Sequence, residues 1–360
     1  MNYGNYPDLS SVKKILVIKM RHHGDVLLTS PLFSVLQSYL PNAKIDAYVY
    51  ADTIPMLDGH PAIGKFFGYD RKWKKLSFFG KLAKEFSLLK EIRKESYDLV
   101  INLTEGDRGA IAALYSGSPL RVGFDPGTGG FLGKRKTFTH LAKNFSGSRH
   151  TVERNLDVLR KIGIFPSEEE RDLFLDIQPA VMQKMKQQLL QQGIEGPYVL
   201  IHPTSRWRFK CLPMEKISKL IEMFHKRGIK VVLTSGPDAV EKAMIEEILQ
   251  PISHISVGNF SGRTTLKELA ALVKLAKMIV CVDSVPLHIA SAVKTPVVTV
   301  FGPTSDLNWG PWMHRASRVV KKNLSCQPCN LDGCAGSKKS DCLLTLPVEQ
   351  IYKACEELGL

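Results

Sequence analysis

Residues 14–33 of the chain read KILVIKMRHHGDVLLTSPLF and combine three signals in order. The apolar, β-branched run Lys14–Ile18 predicts a buried strand, and Gly24 marks the loop that leaves it. Ser30 and Pro31 then open a helix, because the first helical turn tolerates proline. Strand, loop and helix in this order are the repeating unit of a parallel α/β sheet.

The same alternation continues through the chain. Further strands are predicted at Lys44–Tyr50, Tyr97–Leu103, Tyr198–Ile201, Ile229–Thr234, Met278–Val282 and Pro296–Phe301. Helices are predicted at Leu32–Leu40, Ser77–Lys94, Val152–Ile162, Pro179–Gln192, Met214–Arg227, Asp238–Leu249, Leu266–Leu275 and Ser284–Val293. This pattern indicates an α/β protein with two Rossmann-like, doubly wound lobes. Such sheets bind ligands at the carboxyl ends of their strands, so we expect a site in a cleft between the lobes.

Length and composition fit two domains. A chain of 360 residues, 44% of them apolar, can bury a large core. We place the first domain at residues 1–178 and the second at residues 193–346. Residues 347–360 have helical spacing, and we expect this helix to pack on the first domain. The glycine-rich segment 123–149 is expected to be a loop that closes over a substrate.

The net charge of +14 suggests an anionic partner. Basic residues are densest in Arg71–Lys94, where they alternate with aromatic and aliphatic ones. This segment is either a surface that binds anionic lipid or an ordinary amphipathic helix with a solvated basic face. We expect no nucleic acid partner, because no nucleic-acid-binding motif accompanies the charge.

The sequence predicts a cytoplasmic location. No apolar run is long enough to span a membrane, and the start of the chain has no signal-peptide pattern. Four cysteines, Cys326, Cys329, Cys334 and Cys342, follow the spacing C-x2-C-x4-C-x7-C. They are either a zinc site or a reduced, packed loop, since disulfides are disfavoured in the cytoplasm.

The loop after the first strand contains a candidate general base. Asp25 follows Gly24, where a carboxylate can accept a proton from a hydroxyl nucleophile. The alternative is an acidic residue that stabilises a helix N-terminus. His22 and His23 lack the i, i+4 spacing of a metal-ligand pair, so we interpret them as substrate-contacting or structural.

A second loop, after the strand Met278–Val282, has the features of an anion site. Ser284 stands at a helix N-cap position and Pro286 in the first turn, so the backbone amides of residues 285–288, beginning with Val285, can bind a phosphate. His288 is either a phosphate ligand or a core histidine. Asp283 orients the loop or binds a sugar hydroxyl.

The segment His202–Lys210 brings cations and hydroxyl groups together after another strand. Thr204, Arg206 and Lys210 are its candidate phosphate ligands. Cations and helix amides can stabilise a departing diphosphate without magnesium, and the chain has no Asp-x-Asp pair to hold that ion. A solvated basic loop is the alternative.

These motifs together resemble the ADP-heptose:lipopolysaccharide heptosyltransferase family, which are inverting glycosyltransferases of the GT-B fold. The matching segments are residues 19–26, 121–124, 150–156, 233–237, 283–288 and 301–304. The resemblance implies two Rossmann-like domains that face each other across a cleft. It also implies ADP-heptose as the donor, no required cofactor, and an inner-core heptose of lipopolysaccharide as the acceptor.

The resemblance also implies roles for particular residues. It makes Asp25 the base and Lys210 a phosphate ligand. The remaining donor-side residues are Lys19, Glu241, Asp283, Ser284 and His288, with Glu241 as a ribose contact, and the acceptor-side residues are Arg21, His22, His23, Arg121 and His150. The chain departs from the family at Leu212, where a tryptophan is common.

We therefore predict an inverting heptosyltransferase that acts at the cytoplasmic face of the inner membrane, bound there through Arg71–Lys94. One alternative is a related glycosyltransferase with another nucleotide-sugar or a protein acceptor. The non-enzymatic alternative is a basic protein that binds anionic lipid or nucleic acid.

Overall fold

The computed structural model describes residues 6–144 and 147–360. It divides the chain into two compact units, Met1–Asp176 and Ile177–Leu360. Residues 1–5 of the predicted first domain, and residues 145 and 146 of the predicted loop 123–149, lie outside the described residues.

The first unit is built on a parallel six-stranded sheet. Its strands are β1 Lys14–Lys19, β2 Lys44–Tyr50, β3 Ile63–Tyr69, β4 Leu99–Asn102, β5 Leu120–Phe124 and β6 His140–Ala142, in the order β3-β2-β1-β4-β5-β6. Its helices are α1 His23–Leu27, α2 Ser30–Tyr39, α3 Phe78–Lys94, α4 Asp107–Tyr115 and α5 Thr151–Arg160. The strand order reverses between β1 and β4, which is where doubly wound sheets bind their ligands.

The second unit repeats this arrangement. Its strands are β7 Tyr198–His202, β8 Lys230–Leu233, β9 Gly258–Asn259, β10 Met278–Val282, β11 Val297–Val300 and β12 Ser317–Val320, in the order β12-β11-β10-β7-β8-β9. Its helices are α6 Pro179–Gln191, α7 Met214–Lys226, α8 Ala239–Leu249, α9 Leu266–Leu275, α10 Val285–Val293, α11 Asp306–Trp309, α12 Asp341–Leu344 and α13 Val348–Glu357. Here the order reverses between β7 and β10. The prediction of two doubly wound parallel sheets is confirmed.

The central strands are buried along almost their whole length, as parallel strands covered by helices on both faces should be. All residues of β7 and β10 are buried, and so are the last five residues of β1. No helix in the described part of the chain is long and apolar enough to cross a membrane.

The C-terminal helix α13 packs within the second unit, whereas we expected it to pack on the first. The ring of Tyr352 lies 5.5 Å from that of Phe224 on α7. Ile351 and Cys355 are fully buried in the core of the second unit. Helical periodicity identified the apolar face of α13, but periodicity does not specify which surface covers that face.

Two predicted boundaries also differ from the structure. The division falls after Asp176, and α6, predicted between the domains, belongs to the second unit, where Lys184 pairs with Glu268 at 2.5 Å. Segment 123–149 is not a continuous loop, since it contains β6 and a short 3-10 helix, Lys134–Thr137.

Candidate functional site

Asp25 lies in the first turn of α1, just beyond the carboxyl end of β1. Its side chain is 14% exposed, and its Oδ1 lies 3.9 Å from Nε of Arg21. A helix N-terminus stabilises negative charge, so this position suits a carboxylate. The short helix places Asp25 at the switch point of the first sheet, with its side chain partly buried.

Lys19, the last residue of β1, is buried beside this loop. Its Nζ lies 3.3 Å from the carbonyl oxygen of Leu103 and 3.2 Å from Oδ1 of Asn155. Burial lowers the pKa of Lys19 to about 8, and the nearby charge of Asp25 partly opposes this shift. These contacts favour a role in positioning the loops around Asp25 over the predicted phosphate binding.

The two histidines before Asp25 have different surroundings. His22 is the exposed residue that precedes α1, while Nε2 of His23 lies 3.7 Å from Oδ2 of Asp52. Burial lowers the pKa of His23, and the Asp52 carboxylate opposes that shift. Arg71 donates to the same Asp52 oxygen at 2.8 Å and to the backbone carbonyl of Arg21 at 2.9 Å. The basic segment therefore begins as a support for the Asp25 loop, which the sequence did not predict.

Two of the residues predicted to contact the acceptor substrate form hydrogen bonds with backbone groups. The Arg121 guanidinium donates to the carbonyl oxygens of Thr137, at 2.6 Å, and Ser118. His150 caps α5, because its Nδ1 accepts the amide proton of Val152 at 3.2 Å. Both contacts favour structural roles for these side chains.

In the second unit, the loops after three strands meet at one carboxylate. Lys210 ends a 3-10 helix, Arg208–Lys210, and its Nζ donates to Oδ2 of Asp283 at 2.6 Å. Thr304 donates its hydroxyl to the same oxygen at 2.7 Å. The Asp283 side chain is only 7% exposed, so the ion pair is largely shielded from water. Thr304 was missed as a site residue, although its motif follows a predicted strand.

The helix α10 begins beside this pair. Ser284 is its N-cap residue, but the Ser284 hydroxyl donates to the carbonyl of Val282 at 3.3 Å, and no side chain caps the helix. Pro286 lies in the first turn and His288 is buried one turn along. An N-terminus without a side-chain cap retains backbone amides, beginning with that of Val285, that can bind an anion.

A second cluster joins the loops after β7 and β8. Glu241, on α8, accepts a hydrogen bond from the hydroxyl of Thr204 at 2.6 Å and from the amide of Gly236 at 2.9 Å. Arg206 is exposed and its guanidinium lies 5.6 Å from the ring centre of Trp207. The predicted residues Thr204 and Glu241 are thus brought together, while Arg206 is open to solvent.

The four-cysteine segment is not arranged as a metal centre. Among residues 6–144 and 147–360, no group of three or more His, Cys, Asp or Glu side chains could hold a metal ion. Cys326 and Cys334 are exposed, whereas Cys342 is buried. Burial and the neighbouring cysteines raise the pKa of the Cys342 thiol to about 11. The zinc hypothesis gains no support from this geometry.

Comparison with known proteins identifies the family. Residues 85–339 match the profile of glycosyltransferase family 9 (heptosyltransferase). The chain belongs to glycosyltransferase family 9. It is therefore an enzyme that transfers a glycosyl group, as the resemblance predicted. The chain is 38% identical over 345 residues to lipopolysaccharide heptosyltransferase 3 of Escherichia coli K12, covering 94% of this chain and 96% of that relative.

Solved structures of two glycosyltransferases share the fold. A family 9 glycosyltransferase from Veillonella parvula superimposes with a TM-score of 0.81 at 22% identity, covering 96% of this chain and 97% of that one. The E. coli heptosyltransferase WaaC, solved with ADP, gives a TM-score of 0.73 at 21% identity, covering 96% of this chain and 100% of that one. At these identities the likeness concerns the fold alone.

Proposed function

We propose that this family 9 enzyme transfers heptose from ADP-L-glycero-D-manno-heptose to an inner-core heptose of lipopolysaccharide, with inversion at the anomeric carbon. The observation that carries the proposal is the Lys210–Asp283 pair at the N-terminus of α10. The names of the E. coli relatives, one a lipopolysaccharide heptosyltransferase and one solved with ADP, support the same donor and acceptor.

In this mechanism Asp25 is the general base. Its carboxylate takes the proton of the acceptor hydroxyl as that oxygen forms a bond to the anomeric carbon. The bond from that carbon to the diphosphate oxygen breaks, and ADP leaves with the electron pair. One direct displacement inverts the anomeric configuration. Arg21, 3.9 Å from Asp25, and the buried Lys19 support the loop that positions the base.

The second unit stabilises the charge on departing ADP. Asp283 holds the Lys210 ammonium in place, and Thr304 fixes the carboxylate that holds it. The α10 amides add donors that need no reorganisation during the reaction, so we expect no metal requirement. Glu241, anchored by Thr204, is the proposed ribose contact, and the exposed Arg206 a further phosphate ligand.

We also propose that the enzyme binds the anionic, cytoplasmic face of the inner membrane through α3 and the segment before it. Residues 71–94 contain nine basic and two acidic residues. Only Leu88 and Ile92 of α3 are buried, whereas Phe78 and Phe79 are 74% and 79% exposed. An ordinary amphipathic helix would bury its aromatic residues, so the exposed face favours lipid as the partner.

The proposed reaction is tested by incubating the enzyme with ADP-heptose and core-truncated lipopolysaccharide. We expect acceptor-dependent ADP release and a product in which the anomeric configuration of the heptose is inverted, as read by NMR. Parallel incubations with ADP-glucose and with a UDP-sugar test the alternative donors. Transfer from either of these at the rate seen with ADP-heptose would contradict the proposed donor, and a retained anomeric configuration would contradict the displacement.

A further inference from the structure

The first unit contains a pocket that the proposed mechanism does not use. Its volume is about 450 Å³, and it lies at the carboxyl ends of β4 and β5, whose last residues Asn102 and Phe124 line it. Pockets of about 300–1,000 Å³ accommodate small ligands or single sugar units of larger ones.

The pocket is built around a buried lysine. Lys134 is 6% exposed, and its Nζ donates to the carbonyl oxygen of Glu105 at 2.5 Å and pairs with Oδ1 of Asp107 at 3.0 Å. Gly130, with φ +94°, lies so close to Lys134 that a Cβ there would collide with its side chain. A larger residue at Gly130 would therefore be strained and would displace Lys134.

The lining favours a neutral, hydroxyl-rich ligand. The carboxylates of Glu105, Asp107 and Asp125 line the pocket, and each is paired with a cation: Glu105 with Arg154 at 3.1 Å, Asp107 with Lys134 at 3.0 Å and Asp125 with Arg135 at 3.0 Å. Carboxylates and cations that neutralise one another leave no net charge to attract a phosphate, while their oxygens and N–H groups can accept hydrogen bonds from sugar hydroxyls and donate to them. The rings of Phe124 and Phe138 add apolar surface for the C–H faces of a sugar.

The pocket borders the proposed base. The Arg21 guanidinium lies 3.9 Å from the Asp25 carboxylate and 3.8 Å from that of Glu105, so one side chain bridges the two. In addition, the backbone amide of Met20 donates to the hydroxyl of Thr104, a lining residue, at 2.7 Å. Adjacent strands, β1 and β4, hold the base and the pocket at the same edge of the sheet.

We propose that this pocket binds a neutral sugar ring of the acceptor, beside the Arg21 guanidinium that contacts Asp25. This inference rests on the proposed function, because it assigns the pocket to the acceptor of that reaction. It distinguishes a charge-balanced acceptor-side pocket in the first unit from the cationic donor side of the second.

The test fills the pocket with one side chain. A Cβ at Gly129, which lines the pocket, would meet only the Pro126 carbonyl, at 3.4 Å. Gly147 does not line the pocket, and such a Cβ there would have no non-neighbouring atom of the described residues within 4 Å. We expect Gly129→Leu to raise the acceptor KM about tenfold, with kcat and ADP affinity within about twofold of wild type. Gly147→Leu is the matched control. An unchanged acceptor KM in Gly129→Leu would overturn the proposal.

A second variant and a direct binding measurement complete the test. If Gly129→Leu does not fold, Asn144→Ala, which removes a lining amide, should raise the acceptor KM in the same way. Saturation-transfer NMR with methyl heptoside tests the pocket without the transfer reaction. A signal in wild type and Gly147→Leu that is lost in Gly129→Leu supports the pocket, even if no heptose transfer occurs and the proposed function fails. No signal in wild type, or an equal signal in all three proteins, overturns it.

Discussion

The ammonium of Lys210 lies 2.6 Å from a carboxylate oxygen of Asp283, although the two residues are 73 positions apart in the chain. They meet because β7 and β10 are parallel neighbours, and each residue lies in the loop beyond its strand. Thr304, beyond β11, reaches the same oxygen. Three loops therefore share one carboxylate, and this carboxylate sets the position of the proposed phosphate ligand.

Replacing Lys210 should remove charge stabilisation of ADP. We expect Lys210→Met to lower kcat/KM for ADP-heptose about 100-fold, the cost typical of losing one preorganised donor in an active site. Lys219→Met is a matched control, because Lys219 pairs with Glu349 at the same 2.6 Å but both side chains are more than half exposed. Steady-state kinetics should show the control within about twofold of wild type. Equal losses in both variants would contradict the role of Lys210.

Thr304 should matter through its hydrogen bond to Asp283. Thr304→Val keeps the shape of the side chain and removes the donor, so we expect ADP to bind up to about tenfold more weakly by calorimetry. Thr345→Val removes a hydroxyl that donates at 2.7 Å to the backbone of α12, at an exposed position, and should leave ADP affinity unchanged. Wild-type ADP affinity in Thr304→Val would mean that Asp283 does not need this support.

The exposed face of α3 should control binding to lipid. The triple variant Phe78→Ser, Phe79→Ser, Leu82→Ser should bind vesicles containing phosphatidylglycerol at least about tenfold more weakly in sedimentation assays. The reason is that each aromatic side chain buried in the lipid contributes about 2 kcal/mol to binding. Leu190→Ser is the control, because Leu190 is 58% exposed on α6. Binding should also fall in high salt and be absent with neutral vesicles. Retained binding in the triple variant would contradict this surface.

Stability should respond to pH through Lys19. Its folded pKa is about 8 against an ordinary 10.5, so as pH rises above 8 the folded state releases a proton that the unfolded state still holds. Unfolding then becomes less favourable with rising pH. Between pH 7.5 and 9.5 wild type should gain about 2 kcal/mol of unfolding free energy relative to Lys19→Met in urea titrations. A difference that stays constant with pH would contradict this assignment.

Much of the fold was predictable because strongly apolar strands and regular helices carry their own patterns. The predicted strands at Lys44–Tyr50 and Met278–Val282 match β2 and β10 residue for residue. Strand β3 was missed, because its sequence IGKFFGY contains two glycines and a lysine and does not alternate regularly. Helix α4 was missed for a similar reason, since Gly109 and small alanines give a weak periodic signal.

The sequence predicted which loops form the candidate site, but not which side chains contact one another there. Sequence placed Lys210 and Asp283 after strands, yet only the strand order makes those strands neighbours. Long-range contacts such as Arg71 with the Asp25 loop depend on packing, which spacing along the chain does not encode. Arg121 shows the opposite case. Its motif suggested a contact with the acceptor, whereas in the structure its side chain donates hydrogen bonds to backbone carbonyls.

The most direct test of the whole account is the rate of heptose transfer by Asp25→Asn, measured in a single turnover at saturating donor and acceptor. The account predicts a fall of at least about 100-fold relative to wild type, with ADP affinity unchanged, because asparagine keeps the size of the side chain but cannot accept the proton. Asp58→Asn, at an exposed position of the same unit, should transfer heptose at the wild-type rate. Transfer by Asp25→Asn within about threefold of wild type would show that Asp25 is not the base and would contradict the proposed mechanism.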